Sequence, residues 1–299
     1  MNWYYLLVLA AVVMFGGCFA LNDVYRKMRG SNLLISLQFS LTSTLATLPI
    51  MIAIAIVANG FRFECTPFTL LMSFLTALNG FGFTFCSFKA LGKINLSLYS
   101  LFSMLGGMVL PFIQGLFMGD KLTLAKAVCF VLICVALLLT VKKGNGKKSG
   151  GIYYVGVFVL NGMSGVLATF FSKLPFEKTS KEAFSVWSCV WTVLLAVVLL
   201  LILRKKMSAP KLTFAAFGVS VLGSVGNKVA NLFLLACRGI GADGMPNIQN
   251  TVLDPLVTGG VMIVSTLICF FGKNKPSKKE IISIAVASLG MVCLFAIPI

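Results

Sequence analysis

Apolar residues fall into ten stretches, each long enough to cross roughly 30 Å of hydrocarbon as a helix. They lie at Trp3–Leu21, Leu33–Ala58, Phe68–Leu91, Leu96–Met118, Leu124–Val141, Ile152–Phe171, Phe184–Leu203, Leu212–Cys237, Met245–Phe271 and Ile281–Ile297. Almost nothing remains for a soluble domain. The longest polar interruption, Lys142–Gly151, reads Lys-Lys-Gly-Asn-Gly-Lys-Lys-Ser-Gly-Gly and falls at the centre of the chain. Such a composition is flexible and solvated. The predicted organisation is therefore a first five-helix repeat over residues 1–143, a cytoplasmic linker over 144–151 and a second five-helix repeat over 152–299. Because five is odd, the second copy enters the bilayer in the opposite sense to the first, which is the inverted-repeat plan of many secondary transporters. The expected fold class is an all-α integral membrane protein of ten transmembrane helices.

A trace of duplication is visible in the glycines. Gly106-Gly107 followed by Gly119 recurs as Gly259-Gly260 followed by Gly272, each displaced by 153 residues. Gly80 and Ala90 recur as Gly226 and Ala236, displaced by 146, which implies a longer connection or span in the second half. Small residues also stand at helical spacing at Gly16-Gly17, at Gly162 and Gly165, and at Ser220, Gly223 and Gly226. In lipid, where apolar side chains gain little by leaving the tails, close backbone approach at such residues holds helices together.

Composition sharpens the class and charge sets the orientation. Apolar residues make up 59% of the chain and charged ones 11%, with a mean hydropathy of +0.99, far from the profile of a soluble domain. The first span follows Met1-Asn2 with no basic leader and is read as a retained helix. The nine cysteines stand singly, without a Cys-x-x-Cys pair, and read as small buried hydrophobes. A net charge of +17 would suit nucleic acid if it were gathered on one domain. Instead it punctuates the loops. Assigned to the two sides, connections after odd-numbered spans hold 17 Lys and Arg, those after even-numbered spans hold 7 (Arg62, Lys121, Lys126, Lys173, Lys178, Lys181 and Arg238), and the remaining one, Lys228, lies inside a span. The positive-inside rule then places the richer side in the cytoplasm of a cell-membrane protein, with both termini outside.

Candidate chemistry is concentrated in the eighth and ninth spans. With their loop centred on Gly241, Lys228 lies 13 residues before it and Asp254 13 after. Each is then about ten residues into its helix, ~15 Å deep and close to the bilayer midplane. Two antiparallel helices would thus pair opposite charges at one depth. Asn227 and Asn231 share a face with Lys228, while Asn247, Asn250 and Asp254 follow an i, i+3, i+7 stripe flanked by Thr251 and Thr258. Pro255 cannot donate to the Thr251 carbonyl and is expected to kink or open the helix beside the acid. Intramembrane ionisable groups are functional hypotheses by default, whereas a static ion pair would be an expensive fastener. Asp254 would carry a coupling proton only if the pair separated during a cycle, since a lysine partner favours its charged form. A second tier of cavity candidates comprises Asn79, Tyr99, Ser100, Ser103, Gln38 and Asn161, although each alone also suits a helix–helix hydrogen bond.

Catalytic arrangements find no support. The absence of histidine removes Ser/His/Asp, Cys/His and His-metal sites, and eight acidic residues, mostly in loops, offer no paired-carboxylate site. The linker lacks phosphate-loop spacing, so no ATP site is visible, and no metal or cofactor is expected.

Several of these residues resemble ten-helix, EamA-type members of the drug/metabolite transporter superfamily. The resemblance rests on the two five-helix halves, on Ala90-Leu91 ending the third span, and on Leu105-Gly106-Gly107-Met108 leading to Gly119-Asp120-Lys121-Leu122-Thr123. That last stretch is similar to the Gly-Glu-x-x-Ser/Thr signature closing the family's fourth helix, with Asp120 replacing glutamate. In the second half Gly272 meets Lys273 where glutamate is expected, while Pro276-Ser277 keeps the start of the tenth helix. The resemblance implies a central cavity between the halves and transport of small metabolites, amino acids or toxic organic compounds without ATP. Family members often place both termini in the cytoplasm, and here the charge count departs from them. The expected function is a carrier, not an enzyme. Its partners are the lipid bilayer, a small solute such as an amino acid, whose carboxylate Lys228 and amine Asp254 would meet, and a coupling proton if the pair opens. The rival is a non-transporting membrane protein such as a lipid-modifying enzyme, which would gather polar catalytic residues at one membrane face.

Overall fold

The computed structural model describes residues 3–60, 65–93, 96–119, 122–140, 151–203, 213–239, 247–271 and 277–296. They form ten helices: α1 (Tyr4–Arg29), α2 (Leu33–Asn59), α3 (Pro67–Leu91), α4 (Leu96–Phe117), α5 (Leu124–Thr140), α6 (Gly151–Lys173), α7 (Lys181–Leu203), α8 (Phe214–Arg238), α9 (Asn250–Phe271) and α10 (Lys278–Ala296). No strand occurs among the described residues. The helices α1, α2, α3, α6, α7, α8 and α9 are long and apolar enough to cross a membrane, while the apolar runs in α4, α5 and α10 are shorter. Bulky apolar side chains cover the outside, Phe117, Phe214 and Phe271 being 88%, 91% and 94% exposed. That is a surface for lipid, not for water.

Local signals punctuate the helices. Pro67 opens α3 behind Thr66, whose hydroxyl accepts from the Thr69 amide at 3.2 Å. Thr213 caps α8 in the same way on Ala216. Gly60, at φ 59°, ends α2 in the left-handed conformation that glycine adopts without strain.

Two boundaries differ from expectation. The first span was expected to end at Leu21, but α1 continues to Arg29, so Arg26, Lys27 and Arg29 are helical and not loop residues. The polar turn survives because Asp23 takes ion pairs from Arg26 at 2.9 Å and Lys27 at 2.5 Å. The ninth span was expected from Met245, yet α9 starts at Asn250. Two cations counted with the loops are also buried in helices: Lys126, in the first turn of α5, and Arg238, the last residue of α8. The expected linker lies outside the described residues except for Gly151, as do Asp120, Lys121, Gly272, Lys273 and Pro276.

The most extensive helix contacts recur when helix n is exchanged with helix n+5. Helix α1 packs on α8 as α6 does on α3, α4 on α6 as α9 does on α1, and α3 on α7 as α8 does on α2. The pairs α2 with α7, α4 with α9 and α5 with α10 map onto themselves. The glycine pairs sit at equivalent contacts. A Cβ on Gly106 would overlap the Phe158 carbonyl of α6, and one on Gly162 would lie 2.5 Å from the Gly106 carbonyl oxygen. Across α9 and α1, a Cβ on Gly260 would lie 2.8 Å from Val12, and one on Gly16 would overlap Val264. The largest apolar core lies where α1, α4, α8 and α9 meet, around Val12, Tyr99, Leu234 and Val261.

Candidate functional site

Polar stripes of several helices converge on a cavity of ≈ 270 Å³. One face of α8 supplies Ser224, Asn227, Lys228, Asn231, Leu234, Leu235 and Arg238, a run at i, i+3, i+4, i+7, i+10, i+11 and i+14 that keeps to one side of a helix. Hydroxyls come from Ser40, Ser43 and Thr44 on α2 and from Ser185, Ser188 and Thr192 on α7. Further walls come from α1, α3, α4, α6 and α9, whereas α5 and α10 contribute no lining residue. Four helices from each half of the chain thus surround the space. Aromatic rings of Phe15, Phe19, Phe39, Phe81, Phe83 and Phe184 give the remainder of the wall an apolar character.

Most of the hydroxyls are already satisfied locally. Ser188 donates to the Ser185 carbonyl at 2.8 Å and Thr192 to the Ser188 carbonyl at 2.7 Å, the back-bonding that lets hydroxyl residues sit in a helix surrounded by lipid. Lys228 reaches from α8 to α7 and donates to Ser188 Oγ at 3.1 Å. Asn231 donates to the carbonyl oxygen of Asn227 and to its side-chain oxygen, at 2.8 and 3.0 Å.

The expected ion pair is corrected. Asp254 pairs with Arg238 at 2.5 Å, the two side chains being 3% and 6% exposed. Lys228 lies ten residues earlier on α8, ~15 Å back along the axis. The reason is register. After Gly239 the chain folds back on the end of α8, the Asn247 amide bonding to the Gly239 carbonyl and the Ile248 amide to the Cys237 carbonyl. Helix α9 then begins at Asn250, and Asp254 stands one turn inside it rather than at mid-depth. Both charges still line the cavity. Pro255 does not open the helix, which runs without interruption to Phe271.

The other candidates divide. Lys228, Asp254, Asn227, Asn231, Asn79 and Asn161 line the cavity together, and Thr258 joins them. Asn79 and Asn161 also tie helices, donating to the Leu160 carbonyl at 2.9 Å and the Ser103 carbonyl at 2.6 Å. Asn247 precedes α9, so the expected stripe through it fails, and its amide donates to the Ala236 carbonyl at 2.9 Å. Thr251, Tyr99, Ser100 and Ser103 are buried outside the lining set. Tyr99 donates to Ser87 at 2.8 Å and packs edge-on against Phe19 at 5.3 Å. Gln38 accepts from Arg29 at 2.7 Å. The side chain of Asn250 lies outside the described residues. Sequence reasoning missed Arg238, although it extends the Asn231 stripe by a further seven residues. Among the described residues, no cluster of His, Cys, Asp or Glu would hold a metal ion.

No protein-family model and no curated protein matches the chain. Among solved structures, a crystal structure described only as that of a protein superposes with a TM-score of 0.65 over 97% of this chain and 95% of its own. At 18% sequence identity that likeness concerns the fold alone.

Proposed function

We propose that the chain is a secondary transporter that moves a small organic solute by alternating access, built as two inverted five-helix repeats of the EamA type within the drug/metabolite transporter superfamily. The observation that carries the proposal is the cavity walled by α1–α4 and α6–α9, equivalent quartets of the two halves. Carriers built on inverted repeats place their solute at such an interface and rock one half against the other. The recurrence of the most extensive helix contacts under exchange of n and n+5 supports the repeat, as does the meeting of each Gly-Gly pair with a glycine-bearing helix of the other half. Close contacts of this kind leave rigid seams along which two bundles tilt. The charge asymmetry supports a cell-membrane protein with both termini outside. Lys228 stands midway along α8 in the cavity wall, away from the Arg238–Asp254 pair at the helix end, which favours passage of a solute over lipid chemistry at one face.

The test is uptake and counterflow in vesicles reconstituted with the purified chain, across a panel of amino acids, organic acids and organic cations, with and without a pH gradient. Saturable accumulation driven by a solute or proton gradient is expected. A chain that moves none of them faster than empty vesicles is no carrier of this kind.

A further inference from the structure

We infer that the cavity is an anion site: it takes the carboxylate or phosphate of an amphipathic organic solute at Lys228 and discriminates against amines. This deepens the transport reading and rests on it for the statement that the bound compound is also moved. Three ionisable side chains among the described residues line the cavity, namely Lys228, Arg238 and Asp254. Two of them answer each other. Arg238 and Asp254 meet at 2.5 Å with both side chains almost wholly buried, so their charges cancel as seen by a solute. Asp254 is therefore not available to an incoming amine, and the expectation of a zwitterion held between Lys228 and Asp254 does not survive the observed pairing.

Lys228 remains as the net charge of the cavity. Its described partner is the Ser188 hydroxyl, which supplies no countercharge and engages one of three ammonium hydrogens. A half-buried cation without a carboxylate attracts an anion more strongly than it would in water and repels a second cation. Neighbouring groups suit the same ligand. Asn231 occupies the side-chain oxygen of Asn227, leaving the Asn227 amide hydrogens, one residue from Lys228 and on the same cavity face, to donate to an acceptor. The phenylalanine rings of α1, α2 and α3 and the hydroxyls of α2 and α7 line the rest of the space, so the body of the solute is an apolar or polyol scaffold small enough for ≈ 270 Å³.

The test measures binding by calorimetry to the purified full chain in detergent, with two scaffolds in three charge states: benzoate, benzamide and benzylammonium, and gluconate, glucose and glucosammonium. Phenyl phosphate separates a phosphate preference from a carboxylate one. An anion of at least one scaffold is expected to bind tenfold or more tighter than its neutral and cationic counterparts. Lys228→Met should weaken that binding by roughly 30-fold or more, while Lys228→Arg keeps it within a few-fold. Equal or tighter binding of an amine, unchanged anion binding in Lys228→Met, or no anion binding to the unaltered chain overturns the inference. Should Lys228→Met fail to fold, the ranking by charge state on the unaltered chain decides. Counterflow with the same compounds separates the two proposals. An anion bound through Lys228 but never translocated sinks the transport reading alone, whereas translocation of a neutral or cationic solute that ignores Lys228→Met sinks the anion site alone.

Discussion

Removal of one member of the Arg238–Asp254 pair should cost far more than removal of both. At 2.5 Å and an effective dielectric of ~20, the attraction is about 6–7 kcal/mol, but burying each ion costs several kcal/mol. The pair as a whole therefore adds little net stability over an apolar replacement. A single neutralisation is different, because the surviving charge stays buried at 3–6% exposure without its partner. Asp254→Asn and Arg238→Met should each destabilise the chain by about 3–5 kcal/mol, a fall in melting temperature on the order of 10 °C. The double variant should be less destabilised than either single, so the coupling should exceed about 3 kcal/mol. Intrinsic-fluorescence melts and denaturant titrations in detergent would measure this cycle. Strict additivity of the two single effects refutes the argument, because it would mean that the two charges do not depend on each other.

Other consequences follow from particular contacts. Gly106→Ala places a methyl against the backbone carbonyl of Phe158, which cannot rotate away, and should destabilise the chain by about 1–3 kcal/mol or prevent folding. Gly17→Ala meets nothing within 4 Å and should be neutral or mildly stabilising; size-exclusion profiles and melts of the two would compare them. Asn161→Ala loses the 2.6 Å hydrogen bond to the Ser103 carbonyl and should cost about 0.6–1.7 kcal/mol by the same melts. Cys65 is free and exposed in the connection between α2 and α3, on the side that the charge count assigns to the exterior. A membrane-impermeant maleimide should label it in intact cells and not label Cys65→Ser, whereas labelling that requires permeabilisation reverses the proposed orientation.

Helix positions were legible because an apolar run of this length has one stable form in lipid, where every backbone polar group needs a partner within the segment. Nine of the ten helix starts lie within three residues of the expected ones, and the exception, α9, carries the error that matters. A stripe of amides and a lysine on α8 was legible for the same reason, since such groups avoid lipid and turn towards each other or towards a cavity. Pairing was not legible, because it depends on where α9 begins, and that follows the fold-back of Asn247 and Ile248 on the end of α8. A start five residues later than expected moves Asp254 ~7.5 Å along its helix, about half of the ~15 Å between Lys228 and Arg238, and the acid meets Arg238 instead of Lys228. Arg238 itself was hidden by position. At the end of a span it read as one more loop cation, although it continues the Asn231 face. The hydroxyl stripes on α2 and α7 carried an ambiguous signal, because serine and threonine satisfy themselves on their own helix and do not demand a cavity. Register thus decides the chemistry as well as the geometry. With Asp254 opposite Lys228 the cavity would hold a neutral pair and a free arginine at its rim, whereas with Asp254 opposite Arg238 the uncompensated charge moves to the lysine in the middle of α8, beside Asn227 and Ser188.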